Sequence, residues 1–475
     1  MQKNYIDGHW VSAPEALPNI SPSDTSDVVG HYASADTAQA HAAIAAARQA
    51  FAGWAATTPQ KRADILDAVG TAILSKVKHL GALLAREEGK VLGEAMGEVT
   101  RAGHIFKWCA GEALRLTGET VASVRPGVGI EITREPVGVI GLITPWNFPI
   151  AIPAWKMAPA LAFGNTVVIK PAEAAPACTH ALVSLLEEAG LPPGVVNLVM
   201  GSGPVVGGAM VESSFVDAIS FTGSVGTGRA IGVRCAELGK KFQLEMGGKN
   251  PMVVLDDADL SVAVEACVNS AFFSTGQRCT ASSRLIVTSS IHDAFVEAVK
   301  ARLKGIRVGH AMDPATHIGP VVDERQLNKD MEYIRIGVQE GAQLFGGERL
   351  TRPTDGFYLE PALLYETEPG MRINTEEIFG PVASVIRAKD YEEALAIANA
   401  TEFGLSAGIC TQSLKFATHF KRSAQAGMVM VNLPTAGVDY HVPFGGTKAS
   451  SHGSREQGSY SREFYTTVKT SYTLA

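Results

Sequence analysis

Near the start of the chain, Ile44, Ala47, Phe51 and Trp54 stand three, four and three positions apart, which puts them on one stripe of an amphipathic helix. A second helix is predicted from Thr58, a side chain able to cap a first turn, with Pro59 at the first helical position and Ile65, Leu66, Val69 and Ile73 as the buried face. From position 137 the pattern changes. Short runs rich in Val and Ile at 137–143, 166–169, 195–199 and 218–221 alternate with glycine or proline turns and with helical stretches such as 179–189. The alternation restarts after Gly248, with runs at 251–255, 284–288, 382–386, 407–410 and 428–432. Strands that alternate with helices build parallel sheets covered by helices, so two α/β domains are expected, joined near Gly247 and Gly248. The segments 123–134 and 463–473 stand outside both. They are alternating or β-branched and lack a core of their own, so they are expected to pair as strands on another subunit.

A length of 475 residues suits two large domains better than one core. The net charge of -7, without long blocks of either sign, offers no basic surface to nucleic acid. The most apolar stretch, 137–152, is broken by Pro145, Asn147 and Pro149 and falls short of the ~20 residues that cross a bilayer. The first ten residues carry Lys3, Asp7 and His9 where a secretory signal is basic and then apolar. Six cysteines without a CxxC pair and twelve histidines without an HxH or HExxH spacing give neither a disulfide framework nor a metal site, and a reducing cytoplasm is the expected location.

Four places combine reactive side chains with positions able to use them. Residues 221–228, Phe221-Thr222-Gly223-Ser224-Val225-Gly226-Thr227-Gly228, join a predicted strand to a helix predicted at 229–238. Glycines let the backbone approach a ligand and a helix N-terminus attracts phosphate, so a pyrophosphate at Ser224 is one reading and a plain turn the other. Cys279 lies in Gly276-Gln277-Arg278-Cys279-Thr280, on a loop after a helix ending near 273, where Arg278 would favour a thiolate; a lone cysteine otherwise reads as a small core hydrophobe. Glu245 ends an apolar strand beside Gly247 and Gly248, and reads either as a general base with a raised pKa or as a solvated carboxylate. Asn147 sits in a proline-bracketed apolar turn, where its amide either serves an oxyanion or only forms the turn.

The segments TPWNFP (144–149), VIKPAE (168–173), FTGSVGTG (221–228), LEMGGKN (244–250), GQRC (276–279), EEIFGPV (376–382) and PFGG (443–446) stand in the order found in the aldehyde dehydrogenase superfamily, which the chain resembles over essentially its whole length. The resemblance implies an aldehyde dehydrogenase-like α/β fold: two α/β domains with open parallel sheets plus a β oligomerisation arm. It assigns 1–115 and 137–247 to NAD(P) binding, 248–448 to catalysis, and 116–136 with 449–475 to the arm. It further implies that Cys279 forms a thiohemiacetal and then a thioester with the aldehyde, that Glu245 activates the hydrolytic water, that Asn147 and the Cys279 N–H hold the oxyanion, and that Lys156 is a further catalytic position. For the cofactor it implies Lys170, Pro171 and Glu173 at the adenosine ribose, with Gly203 nearby. Phe221, Gly223, Ser224 and Gly228 surround the pyrophosphate, Thr144, Pro145, Trp146, Leu244 and Gly247 line the site, and Glu377 and Phe379 meet the nicotinamide ribose and ring. Phe148, Trp155, Arg278 and Thr280 are implied as substrate contacts, Arg278 offering a guanidinium to a substrate carboxylate. Because the Glu173 carboxylate repels a 2'-phosphate, NAD is expected, with NADP as the alternative.

The run 427–446 is similar to the branch of 2-oxoglutarate semialdehyde (2,5-dioxopentanoate) dehydrogenases, which implies oxidation of 2,5-dioxopentanoate to 2-oxoglutarate. Succinate semialdehyde or an aromatic aldehyde is the alternative substrate. A catalytically silent binding relative is the alternative of another class, and it predicts losses at Cys279, Glu245 or Asn147, where there are none. The expected partners are a small aldehyde and further copies of the chain, as a homodimer or homotetramer, with no nucleic acid, membrane or metal. One stretch departs from the superfamily pattern: Lys448-Ala449-Ser450-Ser451 stands where Lys-x-Ser-Gly is usual, with an additional residue before Arg455 and Glu456, so roles at this pocket floor are not carried over.

Overall fold

Two sheets carry the chain, whose residues 1–474 are described by a computed structural model. The first runs in the order Ser451–His452, Lys241–Glu245, Ala218–Thr222, Val139–Ile143, Thr166–Lys170, Val196–Leu198, Asn4–Ile6 and His9–Val11. Its five inner strands pair in parallel, and their apolar runs are largely buried, as a sheet covered by helices on both faces requires. Both edges are antiparallel, so the open parallel sheet expected is a mixed one. The second sheet runs Gln343–Gly346, Ala362–Thr367, Val382–Ala388, Arg284–Thr288, Pro251–Val254, Ser406–Cys410 and Met428–Val431, parallel except at Gln343–Gly346. The chain passes from one sheet to the other through 246–250.

The apolar runs all form strands within two residues of their expected bounds. Ala362–Thr367 and Gln343–Gly346 were not expected, because a short run ending in polar residues carries no period. The helix Thr37–Ala55 buries Ile44, Ala47 and Trp54 and leaves Phe51 half-buried. Pro59–Ser75 begins at Thr58, whose hydroxyl accepts from the Lys61 N–H. Thr37–Ala55 packs directly on the first sheet, whereas between Pro59–Ser75 and that sheet lies Ala151–Ala162, buried along its whole length with Lys156 as its one charged residue. Among the described residues, no single helix is long and apolar enough to cross a membrane.

The outlying segments form a three-stranded antiparallel sheet within this chain, Thr466–Leu474 against Val128–Pro136 against Glu119–Ala122. Alternation predicted strands there, but the partner expected was another subunit, whereas the two segments pair with each other; residues 123–127 turn between two strands instead of belonging to one. The arm expected from 449 begins at Thr466. Before it, Ser451–His452 extends the first sheet beside Lys241–Glu245, and Phe464 and Tyr465 are buried in that sheet's core.

Candidate active site

In a parallel sheet the loops after neighbouring strands emerge on one edge, where ligands of α/β folds bind. Pro145, Trp146 and Asn147 follow Val139–Ile143, Gly223 and Ser224 follow Ala218–Thr222, and Gly247 follows Lys241–Glu245. With Cys279, Glu377 and Phe379 from the second sheet's loops, they line a cavity of about 200 Å³. Arg325, Gln326 and Lys329 of the helix Glu324–Gln339 line it too, and no sequence motif had pointed to them.

The Cys279 loop is held in a strained shape. After the helix Leu260–Phe272, Ser274 (φ 49°), Thr275 (φ 58°) and Gly276 (φ 65°) adopt left-handed backbone, which costs about 1–3 kcal/mol at each non-glycine residue. The surroundings enforce it. Thr275 Oγ1 donates to the Gly319 carbonyl (3.2 Å), Gln277 Oε1 accepts from the Val322 N–H (2.9 Å), and a Cβ on Gly276 would stand 2.2 Å from the Gly380 oxygen. Asn250 Nδ2 donates to the carbonyls of Cys279 (2.8 Å) and Ala281 (2.9 Å), while its Oδ1 accepts from the Ser406 N–H (3.0 Å). This clamp lies inside the motif 244–250 but was not singled out. Asn147 Nδ2 donates to the Gln277 carbonyl at 3.0 Å, which brings its amide to the Cys279 loop.

Of the six cysteines, Cys279 alone is incompletely buried. Desolvation pushes its thiol up to about 12, with the charges of Glu245 and Glu377 adding to the rise and the N–H groups of Thr280 and Cys279 opposing it. The expected help from Arg278 is not there, because its guanidinium donates to Glu94 Oε1 at 2.7 Å. Glu245 is buried at its strand end. Its carboxyl is held well above the ordinary range by desolvation and the nearby charge of Glu456, against hydrogen bonding from Ser451 and the charges of Lys156 and Arg455. The Ser451 hydroxyl donates to Glu245 Oε2 at 2.6 Å, and Oε1 lies 2.9 Å from where a Cβ on Gly445 would stand. Glu245 therefore faces the 445–451 segment and does not line the 200 Å³ cavity, although its charge reaches the thiol.

Lys156, expected among the catalytic groups, does not line that cavity either. It is fully buried, ion-paired to Glu456, and donates to Ser220 Oγ at 2.6 Å. An ammonium on a helix buried along its length needs such a counter-ion. Glu456 reaches it because Phe444 and Glu456 exchange backbone hydrogen bonds (2.7 and 2.9 Å).

A dinucleotide fits the sheet edge. Ser224 caps the helix Val225–Glu237 at the Thr227 N–H (3.4 Å), leaving the Val225 and Gly226 N–H groups without an acceptor among the described residues and available to a pyrophosphate. On Gly223, Gly228 and Gly247 a Cβ would stand 2.6 Å from the Phe221 ring, 2.5 Å from Met246 Sδ and 2.1 Å from the Glu377 carboxylate. Phe221 and Leu244 are buried strand neighbours beneath the loop. Along the same edge, Lys170 Nζ donates to the Pro171 carbonyl (3.0 Å), and exposed Glu173 accepts from the Gly203 N–H (2.9 Å). The buried Thr144 N–H donates to the Lys170 carbonyl (3.1 Å). Glu377 accepts from the Gly248 N–H at 2.8 Å, and Phe379, at φ 71°, meets Trp146 edge-on with ring centres 5.6 Å apart.

A second cavity of about 610 Å³ lies across the wall formed by 147–148 and 278–279: Asn147 and Cys279 line the smaller space, Phe148 and Arg278 the larger. The other two expected substrate contacts line neither. Trp155 packs on Phe444, ring centres 5.5 Å apart, and Thr280 accepts at its carbonyl from Thr435 Oγ1 (2.7 Å).

Comparison with known proteins agrees with this geometry. The model of the aldehyde dehydrogenase family matches residues 10–471. The alpha-ketoglutaric semialdehyde dehydrogenase of Bacillus subtilis is 44% identical over 473 residues, 98% of this chain and 97% of the relative. The 2,5-dioxopentanoate dehydrogenase of Saccharolobus solfataricus is 40% identical over 467 residues, again 98% and 97%. Among solved structures, the betaine aldehyde dehydrogenase of Staphylococcus aureus in complex with NAD+ matches with a TM-score of 0.97 at 35% identity, over 100% of this chain and 95% of that one.

Proposed function

Since this chain belongs to the aldehyde dehydrogenase family and is an NAD(P)-dependent oxidoreductase acting on aldehydes, we propose that it converts 2,5-dioxopentanoate to 2-oxoglutarate through a thioester on Cys279, with NAD as its cofactor. The observation that carries this reading is the place of Cys279, the one incompletely buried thiol, in the wall between a cavity suited to a dinucleotide and a larger one. Bound NAD supplies the acceptor for the two electrons and the hydrogen lost by the aldehyde carbon. The chain's own groups do the rest.

The Cys279 sulfur, once deprotonated, adds to the aldehyde carbon. Negative charge grows on the aldehyde oxygen and meets the Cys279 N–H and the Asn147 N–H not used by Gln277, donors worth roughly 3–4 kcal/mol each in a comparable oxyanion hole. To hydrolyse the thioester, Glu245 leaves Ser451, turns to the acyl carbon and takes a proton from water; a raised pKa suits a base that works near neutrality. Lys156 and Glu456 act from behind, as a buried pair that sets the field at Glu245.

In this reading 1–115 and 137–247 bind the cofactor and 248–448 carry catalysis. The small sheet, with Val121, Val468, Tyr472 and Leu474 exposed on it, receives a second copy in a homodimer or homotetramer. The free thiols suit a reducing cytoplasm. A panel of 2,5-dioxopentanoate, succinate semialdehyde, betaine aldehyde and benzaldehyde with NAD and NADP tests it by kcat/KM. The first with NAD is expected to lead, and Glu245→Gln is expected to accumulate an acyl group on Cys279 by intact mass. A lead for benzaldehyde, or an acyl group on another residue, overturns the reading.

A further inference from the structure

The larger cavity is lined by a cation that belongs to no ion pair, although the Asp439 carboxylate lines the same space. The helix Leu92–Leu114 lays Glu94, Glu98 and Arg101 along the cavity, on successive turns of one face. Glu98 neutralises Lys90 at 2.7 Å and Glu94 neutralises Arg278 at 2.7 Å. Arg101 is different. Its guanidinium donates to the Val438 carbonyl and to Gln457 Oε1 (2.9 Å), both uncharged, and its buried Nε has no partner. Among the described residues no carboxylate stands within ion-pair distance of it. Desolvation pulls its pKa below the usual guanidinium value, while the charges of Glu98, Asp439 and Cys279 act in the opposite sense. The guanidinium nevertheless stays protonated. The Trp155 ring, 5.7 Å away, backs it.

We propose that Arg101 is the counter-ion for the carboxylate of the substrate, so that a 2-oxo acid lies in the 610 Å³ cavity with its carboxylate on Arg101 and its aldehyde carbon at Cys279. The proposal deepens the function given above and rests on its carboxylated semialdehyde. A planar fork of N–H donors meets a carboxylate in two parallel hydrogen bonds, and each terminal nitrogen of Arg101 keeps one N–H beyond its bond to Val438 or Gln457. Arg278, although adjacent to the nucleophile, is already taken by Glu94. Specificity follows from the same feature: an uncharged aldehyde in the cavity leaves a dehydrated cation unpaired, whereas a carboxylate relieves it.

Steady-state kinetics of the wild type, Arg101→Gln and Arg101→Lys on 2,5-dioxopentanoate, succinate semialdehyde and pentanal, with 2-oxoglutarate as product inhibitor, test the proposal. Arg101→Gln is expected to lower kcat/KM for both carboxylated aldehydes roughly 10- to 100-fold, chiefly through KM, to weaken 2-oxoglutarate inhibition in parallel, and to leave pentanal within about threefold of wild type. Arg101→Lys, which keeps the charge but not the fork, is expected to fall between. A wild type that favours succinate semialdehyde, with the same dependence on Arg101, removes 2,5-dioxopentanoate as the substrate and upholds the carboxylate site. Equal losses on all three aldehydes, unchanged kinetics with the carboxylated ones, or a wild type that prefers pentanal overturn it.

Discussion

The Ser451 hydroxyl donates a 2.6 Å hydrogen bond to Glu245 Oε2 and accepts one of 2.7 Å from the Gly446 N–H. Ser451 stands where the family pattern usually has glycine, so this latch on the proposed base belongs to the departure at 448–451. The bond has two effects: it stabilises the ionised carboxyl, and it must break before Glu245 can reach an acyl group.

Ser451→Gly removes both effects, and they separate by pH. A donor to a carboxylate lowers its pKa, so losing Ser451 raises Glu245 further and moves the acid limb of thioester hydrolysis to higher pH. Above that limb hydrolysis is expected to be faster than in the wild type, because no latch has to open. Stopped-flow hydrolysis of the acyl-enzyme across pH checks both halves; a limb displaced to lower pH, or a lower plateau, contradicts the latch.

The thiol makes its own pH prediction. With Cys279 pushed up to about 12, chiefly by desolvation and then by Glu245 and Glu377, the cofactor-free enzyme holds a neutral thiol at pH 7. Each pH unit towards that value raises the thiolate roughly tenfold. Iodoacetamide labelling of Cys279 is expected to climb from pH 7 to pH 10 without levelling near ~8.5, the ordinary thiol value. Glu377→Gln, which deletes one of the charges that raise the thiol, is expected to speed labelling at fixed pH. Site-resolved mass spectrometry reads both.

Asn250 is the residue whose loss spreads furthest through the Cys279 loop. Its amide serves the carbonyls of Cys279 and Ala281 and the N–H of Ser406, in buried surroundings next to a strained turn. Asn250→Ala leaves these groups unsatisfied and is expected to cost roughly 3 kcal/mol in urea unfolding, with a lower kcat from a displaced sulfur. Asn250→Asp keeps the acceptor but loses both donors, and is expected to rescue neither stability nor kcat. A stability change below about 1 kcal/mol in Asn250→Ala would show that the loop holds its shape without the clamp.

What the sequence disclosed and what it hid divide along physical lines. Strands buried on both faces, such as Thr166–Lys170 and Pro251–Val254, leave unbroken apolar runs and were legible. The edge strands Gln343–Gly346 and Ser451–His452 pack on one side only and leave none. Motif residues around the smaller cavity, Asn147, Ser224, Gly247, Cys279, Glu377 and Phe379, converge because strand ends of parallel sheets converge. Pairing was not legible. Glu94, which occupies Arg278, lies 184 positions away, and Glu456, which holds Lys156, lies 300 away. The free valence of Arg101 is likewise a result of packing, visible in no local motif.

Lys156 and Glu456 are costly to separate and cheap to replace together. Lys156→Met strands the Glu456 carboxylate, and Glu456→Leu strands the Lys156 ammonium; each is expected to cost roughly 3–5 kcal/mol. The double variant strands neither and is expected to recover most of the loss, since two apolar side chains replace two dehydrated charges in a core already packed with Ala, Leu and Met. Activity gives an independent reading. Glu456 raises the Glu245 pKa more than Lys156 lowers it, so removing both charges moves the acid limb of hydrolysis to lower pH, opposite to Ser451→Gly. Urea unfolding of the four-member cycle, with acyl-enzyme hydrolysis of the double variant across pH, checks both. A double variant as unstable as the singles would mean that the pair is required as charges, and an abolished hydrolysis step at every pH would return Lys156 to the catalytic groups.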